Sequence, residues 1–222
     1  MRIPLFPLGT VLYPGLLLPL HVFEPRYREL VRDLVDLPTD APRRFGVVAI
    51  REGREVGADG VRALYGVGCT AELRQVEARP DGRFDIATIG VDRFRLGPLE
   101  HSRAYAQADI EVLPEVRGPD AGVLAQVVDR LFHRYREAVL AGRGDAGRGE
   151  PPELASDPIL LSYVVAAATV LDLPDKQALL EAASAADRLR LELRLLRREY
   201  AVLRRLPSLP AVDLARSGYG VN

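Results

Sequence analysis

The sequence predicts an α+β protein with a β-rich first part and a helical second part. Before about residue 117, short apolar runs alternate with Gly and Pro turns, and after it the apolar residues follow a helical period. Apolar residues make up 48% of the 222 residues and charged residues 27%, which is typical of a globular chain with a sizeable core.

The first part is expected to form a small barrel-like sheet of short strands. In the clearest strand, Val67, Cys69, Ala71 and Leu73 alternate with polar or small residues, which is the period of a half-buried strand. Turn signals such as residues 80–82, PDG, separate the runs. The strand pattern runs over residues 2–6, 16–23, 45–50, 67–74, 84–96 and 106–112.

One helix is expected within the β-rich part. It begins at Pro25, because a first helical position needs no backbone N–H. Tyr27, Leu30, Val31 and Leu34 follow at helical spacing and predict its buried face.

The second part is expected to be all helical. Asp157-Pro158 predicts the start of an apolar helix that runs over residues 159–171 at the centre of a bundle. That helix is shorter than the roughly 20 residues that a membrane span needs. Apolar residues spaced by three and four define the faces of a first and a last helix, and they are Leu124, Val128, Leu131, Tyr135 and Val139, then Leu189, Leu193, Leu196, Tyr200 and Leu203.

These patterns divide the chain into three segments. Residues 1–117 are the β-rich subdomain, residues 118–206 the helical subdomain, and residues 207–222 a loosely ordered tail. Residues 141–150 are rich in Gly and Arg and are expected to form a mobile loop between helices.

Composition disfavours several classes of function. The net charge of −1 lacks the basic excess that is typical of nucleic-acid-binding proteins. Cys69 is the single cysteine, which excludes an internal disulfide and fits a reducing cytoplasm. No signal-peptide pattern follows Met1, so we expect a cytoplasmic protein without a membrane segment.

No catalytic, cofactor or metal motif is present in the sequence. Lys176 is the single lysine and is preceded by Pro174-Asp175, so the G-x-x-x-x-G-K-[ST] phosphate loop is absent. His21, His101 and His133 lack zinc-site spacing. We therefore expect no catalytic residue, no cofactor and no metal, and a protein that is not an enzyme.

Several residues allow either a structural or a binding role. Glu24, Arg26 and Arg28 lie near a helix start, where an ion-paired corner is the simpler interpretation than a ligand site. His21 is expected to fix the same corner by hydrogen bonding. Cys69 is expected to be a small core residue, and Arg93 a surface residue beside a buried Phe94.

The opening of the chain resembles the substrate-binding domain at the N-terminus of Lon proteases. The resemblance is carried by residues 4–9 (PLFPLG), 11–15 (VLYPG) and 18–28 (LPLHVFEPRYR). Weaker matches follow in order at residues 45–48 (FGVV), 55–57 (EVG), 67–71 (VGCTA), 80–83 (PDGR), 90–94 (GVDRF), 176–181 (KQALLE) and 188–189 (RL). It covers roughly residues 2–206.

This resemblance implies a fold and a role. The fold would be a PUA-like pseudobarrel of about six strands with one helix, followed by a four-helix part. The role would be capture of unfolded or tagged polypeptides, or that of an adaptor for a protein partner, by a stand-alone member without ATPase and peptidase modules. The candidate partner-binding residues are Pro7, Tyr13, Pro14, His21, Glu24, Arg26, Tyr27 and Arg93.

Two alternatives remain open at this stage. The last helix has a local excess of arginine, which is usually a solvated face but also suits RNA, and RNA-modification accessory domains have similar pseudobarrels. An enzyme without a recognisable motif is the other alternative, because residues that meet only in space are not visible in one sequence.

Overall fold

The structure is a computed structural model that describes residues 1–53, 61–142 and 156–205. The predicted mobile loop after residue 142, the tail after residue 205 and the EVG motif lie outside these ranges. The described elements are seven strands and five helices: β1 Arg2–Leu8, β2 Leu17–Val22, α1 Pro25–Val35, β3 Arg44–Gly53, β4 Val61–Leu64, β5 Val67–Ala78, β6 Phe84–Glu100, β7 Gln107–Val112, α2 Ala121–Gly142, α3 Pro158–Ala168, α4 Leu173–Glu181 and α5 Ala185–Arg205.

The strands form one mainly antiparallel sheet. Its order is β1-β7-β6-β5-β3-β4, and β1 also pairs with β3 in parallel, so the pairings close a circuit of five strands. Among the residues that the structure describes, strand β2 pairs only with β6, and β4 only with β3. These two strands therefore each keep one unpaired edge.

The α+β class, the single helix within the β-rich part and the four later helices are confirmed, but the strand count is seven rather than six. The additional strand is β4, Val61–Leu64. Its four residues are too few to show a period of two, and none of them is fully buried. The other six strands correspond to the six predicted runs.

Helix α1 packs against the sheet through the face that the sequence predicts. Its buried residues are Tyr27, Leu30, Val31 and Leu34, and Pro25 occupies its first turn. They join a core with Phe6, Phe45, Cys69 and other side chains of the sheet. Cys69 is fully buried, as expected, and burial raises the pKa of its thiol.

Part of the opening motif, the 11–15 segment, crosses β6 with the two backbones in close contact. Gly15 has φ +79°, a conformation that favours glycine, and its N–H donates to the Gly90 carbonyl. A Cβ on Gly90 would lie 2.2 Å from the Tyr13 carbonyl oxygen. The glycines at these two positions thus let the 11–15 segment lie directly against β6.

By its internal contacts the chain divides into two compact units. The first comprises Met1–Val116 and Ala166–Ala183, and the second the remaining residues from Arg117. The sequence analysis had assigned residues 166–183 to the helical part. They belong to the first unit because α4 bonds to its strands: the Gln177 side chain donates to the Val67 carbonyl over 2.9 Å, and Tyr13 Oη donates to the Lys176 carbonyl over 2.8 Å.

The second unit is built from α2, α5 and the first two turns of α3. Leu189 and Leu196 are buried in its core, and Leu193 and Leu203 pack partly against it, as the spacing predicts. The Asp157 side chain accepts from the Leu160 N–H, which confirms the predicted cap of α3.

Helix α3 is not buried on all sides, however. Leu160 is 38% exposed, whereas Leu161 is 5% exposed and lies in the core. The expectation that the whole apolar run lies at a bundle centre was therefore wrong, since a helix that is apolar all round shows no preferred face in its sequence. No helix among the described residues is both long and apolar enough to span a membrane.

Candidate functional site

Two neighbouring cavities open on the first unit beside the start of α1. The smaller, about 140 Å³, is lined by residues 6–8 of β1, residues 20–23, Glu24 and Tyr27. The larger, about 450 Å³, is lined by Pro7, Arg26, Tyr27, β4, Leu99, His101, Ala104 and Ala106. Pro7 and Tyr27 line both, so we treat the two cavities as one site, the α1 groove.

The floor of the α1 groove is aromatic. The Tyr27 ring stacks on the Phe6 ring with centroids 4.0 Å apart, and the Arg26 guanidinium lies 4.6 Å from the Tyr27 centroid. Tyr27 is held there because α1 begins two residues earlier and turns this side chain into the core. The groove therefore offers a rigid apolar surface with a cation at its side.

Pro7 suits its place in the groove wall. Strand β1 pairs with β7 only through Arg2–Pro4, so beyond that point one edge of β1 has none of the described strands beside it. Leu5 still donates toward β7, to the Ala106 carbonyl, and Pro7 has the same orientation because backbone groups alternate along a strand. Since Pro7 has no N–H, no donor is left unpaired at this edge.

The polar corner of the groove is an ion pair, as the sequence analysis expected. Arg26 Nε and Nη2 lie 3.0 Å and 2.8 Å from Glu24 Oε2. His21 is half exposed and its Nδ1 lies 2.6 Å from Asp85 Oδ1. This hydrogen bond, together with one from Arg79, holds the pKa of Asp85 below its usual value.

The structure brings five of the eight candidate residues together. Those at the groove are Pro7, His21, Glu24, Arg26 and Tyr27. Tyr13 and Pro14 are buried elsewhere in the unit, and Arg93 is buried as well, so its predicted surface position was wrong. Arg93 Nη1 donates to the carbonyls of Leu180 and Ala182, which ties α4 to β6.

The groove also contains residues that the sequence analysis did not select. Phe23 and Leu99 are 46% and 45% exposed, and Arg62 and His101 lie at the larger cavity. No regular period marks them. Phe23 and His101 lie just beyond the end of a strand, Arg62 lies on the short β4, and Leu99 follows a register shift between β6 and β7. Among the described residues, no group of three His, Cys, Asp or Glu side chains could hold a metal ion.

Comparison with known proteins identifies the family of the chain. The family model described as "ATP-dependent protease La (LON) substrate-binding domain" matches residues 2–198. The Lon protease of Escherichia coli (strain K12) is 28% identical over 198 residues, which is 85% of this chain and 24% of that protease. Lon protease 2 of Myxococcus xanthus is 26% identical over 204 residues, 91% of this chain and 24% of that protein.

Solved structures show the same fold. A Lon N-terminal domain protein from Xanthomonas campestris has a TM-score of 0.60 at 22% identity, covering 93% of this chain and 99% of that one. The N-terminal domain of a Mycobacterium avium complex Lon protease has a TM-score of 0.64 at 18% identity, covering 88% and 98%. The chain spans about a quarter of the bacterial Lon proteases that it matches, and the match is confined to a non-catalytic domain. The chain belongs to the Lon substrate-binding domain family.

Proposed function

We propose that the chain captures unfolded or tagged polypeptide segments in the α1 groove, either as a client-binding module or as an adaptor for a protein partner. The observation that carries this proposal is the groove itself, in which exposed Phe23 and Leu99 flank a floor of Phe6 and Tyr27. Apolar side chains left uncovered around a concave surface are typical of a polypeptide-binding site.

The unpaired strand edges add a second means of holding an extended chain. Strands β2 and β4 contribute to the two cavities, and each pairs with only one of the described strands. An extended segment can add to such an edge through main-chain hydrogen bonds, which depend little on its sequence. That tolerance suits a module whose clients differ from one another.

The test is equilibrium binding of a permanently unfolded, fluorescently labelled client. We expect weak binding that is nearly independent of salt, since apolar contacts and main-chain hydrogen bonds dominate. Phe23→Ser and Leu99→Ser should each weaken this binding severalfold. Val123→Ser makes the same apolar-to-polar change at an exposed position of α2 and should not weaken it. Equal affinity of all three variants would remove the α1 groove from the proposal.

RNA binding is the second candidate, and one feature of α5 favours it. At 100° per residue, six arginines fall within an arc of roughly 120° on this helix, and they are Arg190, Arg194, Arg197, Arg198, Arg204 and Arg205. Four of them, all except Arg190 and Arg198, make no ion pair with any residue that the structure describes. Arginines without an acidic partner suit a phosphate backbone.

RNA binding has a distinct signature. Its affinity would fall steeply with added salt, and the double variant Arg197→Ala/Arg198→Ala would reduce that slope. The matched control is Arg74→Ala/Arg95→Ala, which removes two exposed arginines from the strands. If RNA binds in this way and the unfolded client does not bind, RNA binding replaces polypeptide capture as the function.

We further propose that the chain works without catalysis of its own and in the cytoplasm. The family match covers a domain without catalytic modules, and Lys176 is the single lysine of the chain. Purified protein should hydrolyse neither ATP nor casein. Turnover that co-purifies with the chain and disappears in Lys176→Ala would contradict this.

A further inference from the structure

The larger cavity of the α1 groove carries an uneven charge. Its basic lining residues are Arg26, Arg62 and His101, and no Asp or Glu of the described residues lines it. The rest of its wall is apolar or aromatic apart from backbone, with Leu64 and Leu99 as its largest aliphatic side chains. A cavity with cations and no acid of its own favours an anionic group.

Two of these basic side chains have no acidic partner in the described ranges. Arg26 is paired with Glu24, but Arg62 and His101 make no ion pair with any residue there. Arg62 is always charged, and the His101 ring can donate a hydrogen bond. Both side chains are exposed, so an incoming carboxylate can reach them without breaking an existing contact.

A second cavity on the same unit provides a contrast. It measures about 520 Å³ and contains Arg2, Arg44 and Arg103. Each of these arginines already has a carboxylate partner: Asp109 and Glu100 for Arg2, Glu72 and Asp92 for Arg44, and Asp33 for Arg103. In this second cavity every arginine is thus paired with a carboxylate, whereas Arg62 of the larger groove cavity has no such partner among the described residues.

We propose that this cavity selects acidic segments: it binds the carboxylate side chain of an extended polypeptide in which apolar residues flank an Asp or Glu. The inference rests on the proposed function and names the class of polypeptide. A segment added at the free edge of β4 would place every second side chain toward the cavity, about 7 Å apart. The acid then meets Arg62 and His101, and the apolar residues two positions away meet Leu64 and Leu99.

The test uses the full chain and labelled peptides of about seven residues, acetylated and amidated at their ends, with one Asp between leucines. Otherwise identical peptides carry Asn or Lys at that position. We expect the Asp peptide to bind roughly fivefold more tightly than the Asn peptide, which is the scale of one or two exposed charge contacts. The Lys peptide should bind more weakly still, and added salt should reduce the differences.

The variant Arg62→Gln/His101→Gln should abolish the preference for the Asp peptide over the Asn peptide. The matched control Arg74→Gln, an exposed arginine of β5 outside the cavity, should retain the preference. A preference that survives in the double variant would overturn the proposal, because its source would then lie elsewhere.

Two further outcomes separate this inference from the proposed function. Equal binding of the Asp and Asn peptides overturns the inference and leaves polypeptide capture standing. An Asn peptide with a free terminal carboxylate that matches the Asp peptide also overturns it, since the site would then recognise chain ends. If neither the peptides nor the unfolded client bind, the proposed function itself has failed.

Discussion

Arg93 is a buried charge whose guanidinium bonds several parts of the first unit. Its side chain is 3% exposed, and its Nε lies 2.6 Å from Glu115 Oε1. The same guanidinium donates to the carbonyls of Pro114, Leu180 and Ala182. Because water cannot replace these partners, the side chain stabilises the junction of β6, α4 and the segment after β7.

Arg93→Ala should therefore lower the free energy of unfolding by about 3 kcal/mol, since it leaves three carbonyls and a carboxylate without their donor. Arg95→Ala, two residues along the same strand, removes only an exposed ion pair with Glu111 and should cost less than about 1 kcal/mol. Denaturant unfolding of both variants checks this. Similar losses for the two would show that the Arg93 contacts contribute little.

Glu192 is a second buried ionisable side chain, and it lies in the second unit. It is 2% exposed, and both its side-chain oxygens lack a hydrogen-bond partner among the described residues. Burial raises its pKa well above the usual value, although Arg188 one turn earlier acts in the opposite direction. Arg188 itself donates to Ser162 Oγ over 2.8 Å and to Tyr163 Oη over 2.7 Å.

The raised pKa of Glu192 predicts a pH dependence of stability. Its stabilising effect is complete below the pKa of the unfolded chain, about 4.3, and is lost as the pH rises through the higher pKa of the folded state. Glu192→Gln removes this titration. The unfolding free energy of the variant minus that of the wild type should therefore increase from pH 5 upward, as measured by urea unfolding at several pH values. Parallel curves for the two proteins would mean that Glu192 does not titrate abnormally.

At the scale of the element, the sequence predicts those helices and strands whose apolar residues recur at a regular spacing. The buried face of α1 and the leucines of α5 follow from spacing alone, because one face of each helix meets the core. Strand β4 is too short to show a period, and α3 is too uniformly apolar to reveal which of its sides is covered. Arg188 and Glu192 could not be recognised as buried, since their partners come from another part of the chain or are missing.

Helix α3 provides a direct test of the face that the structure assigns. Leu161→Asp would bury an unpaired carboxylate and should lower the free energy of unfolding by at least about 3 kcal/mol. Leu160→Asp places the same group at an exposed position one residue earlier and should change stability by less than about 1 kcal/mol. Thermal or denaturant unfolding measures both. If Leu160→Asp proved the more damaging of the two, the helix would face the core by its other side.

At the scale of the whole molecule, the site is predicted less well than the fold. Five candidate residues from the opening motif, Pro7, His21, Glu24, Arg26 and Tyr27, lie together at the α1 groove. The same motif also contains Tyr13 and Pro14, which are buried in the interior of the first unit. What completes the groove comes from β4 and the end of β6, more than thirty residues away along the chain. Only the folded sheet brings these segments together.

Residue-resolved hydrogen exchange, with and without a saturating unfolded client, tests polypeptide capture most directly. If an extended chain adds to the free edges of the groove, amide exchange should slow in Leu17–Val22 and Val61–Leu64 and stay unchanged in Ala185–Arg205. Exchange that slows only in Ala185–Arg205, or in no described segment while the client is demonstrably bound, would contradict capture at the α1 groove.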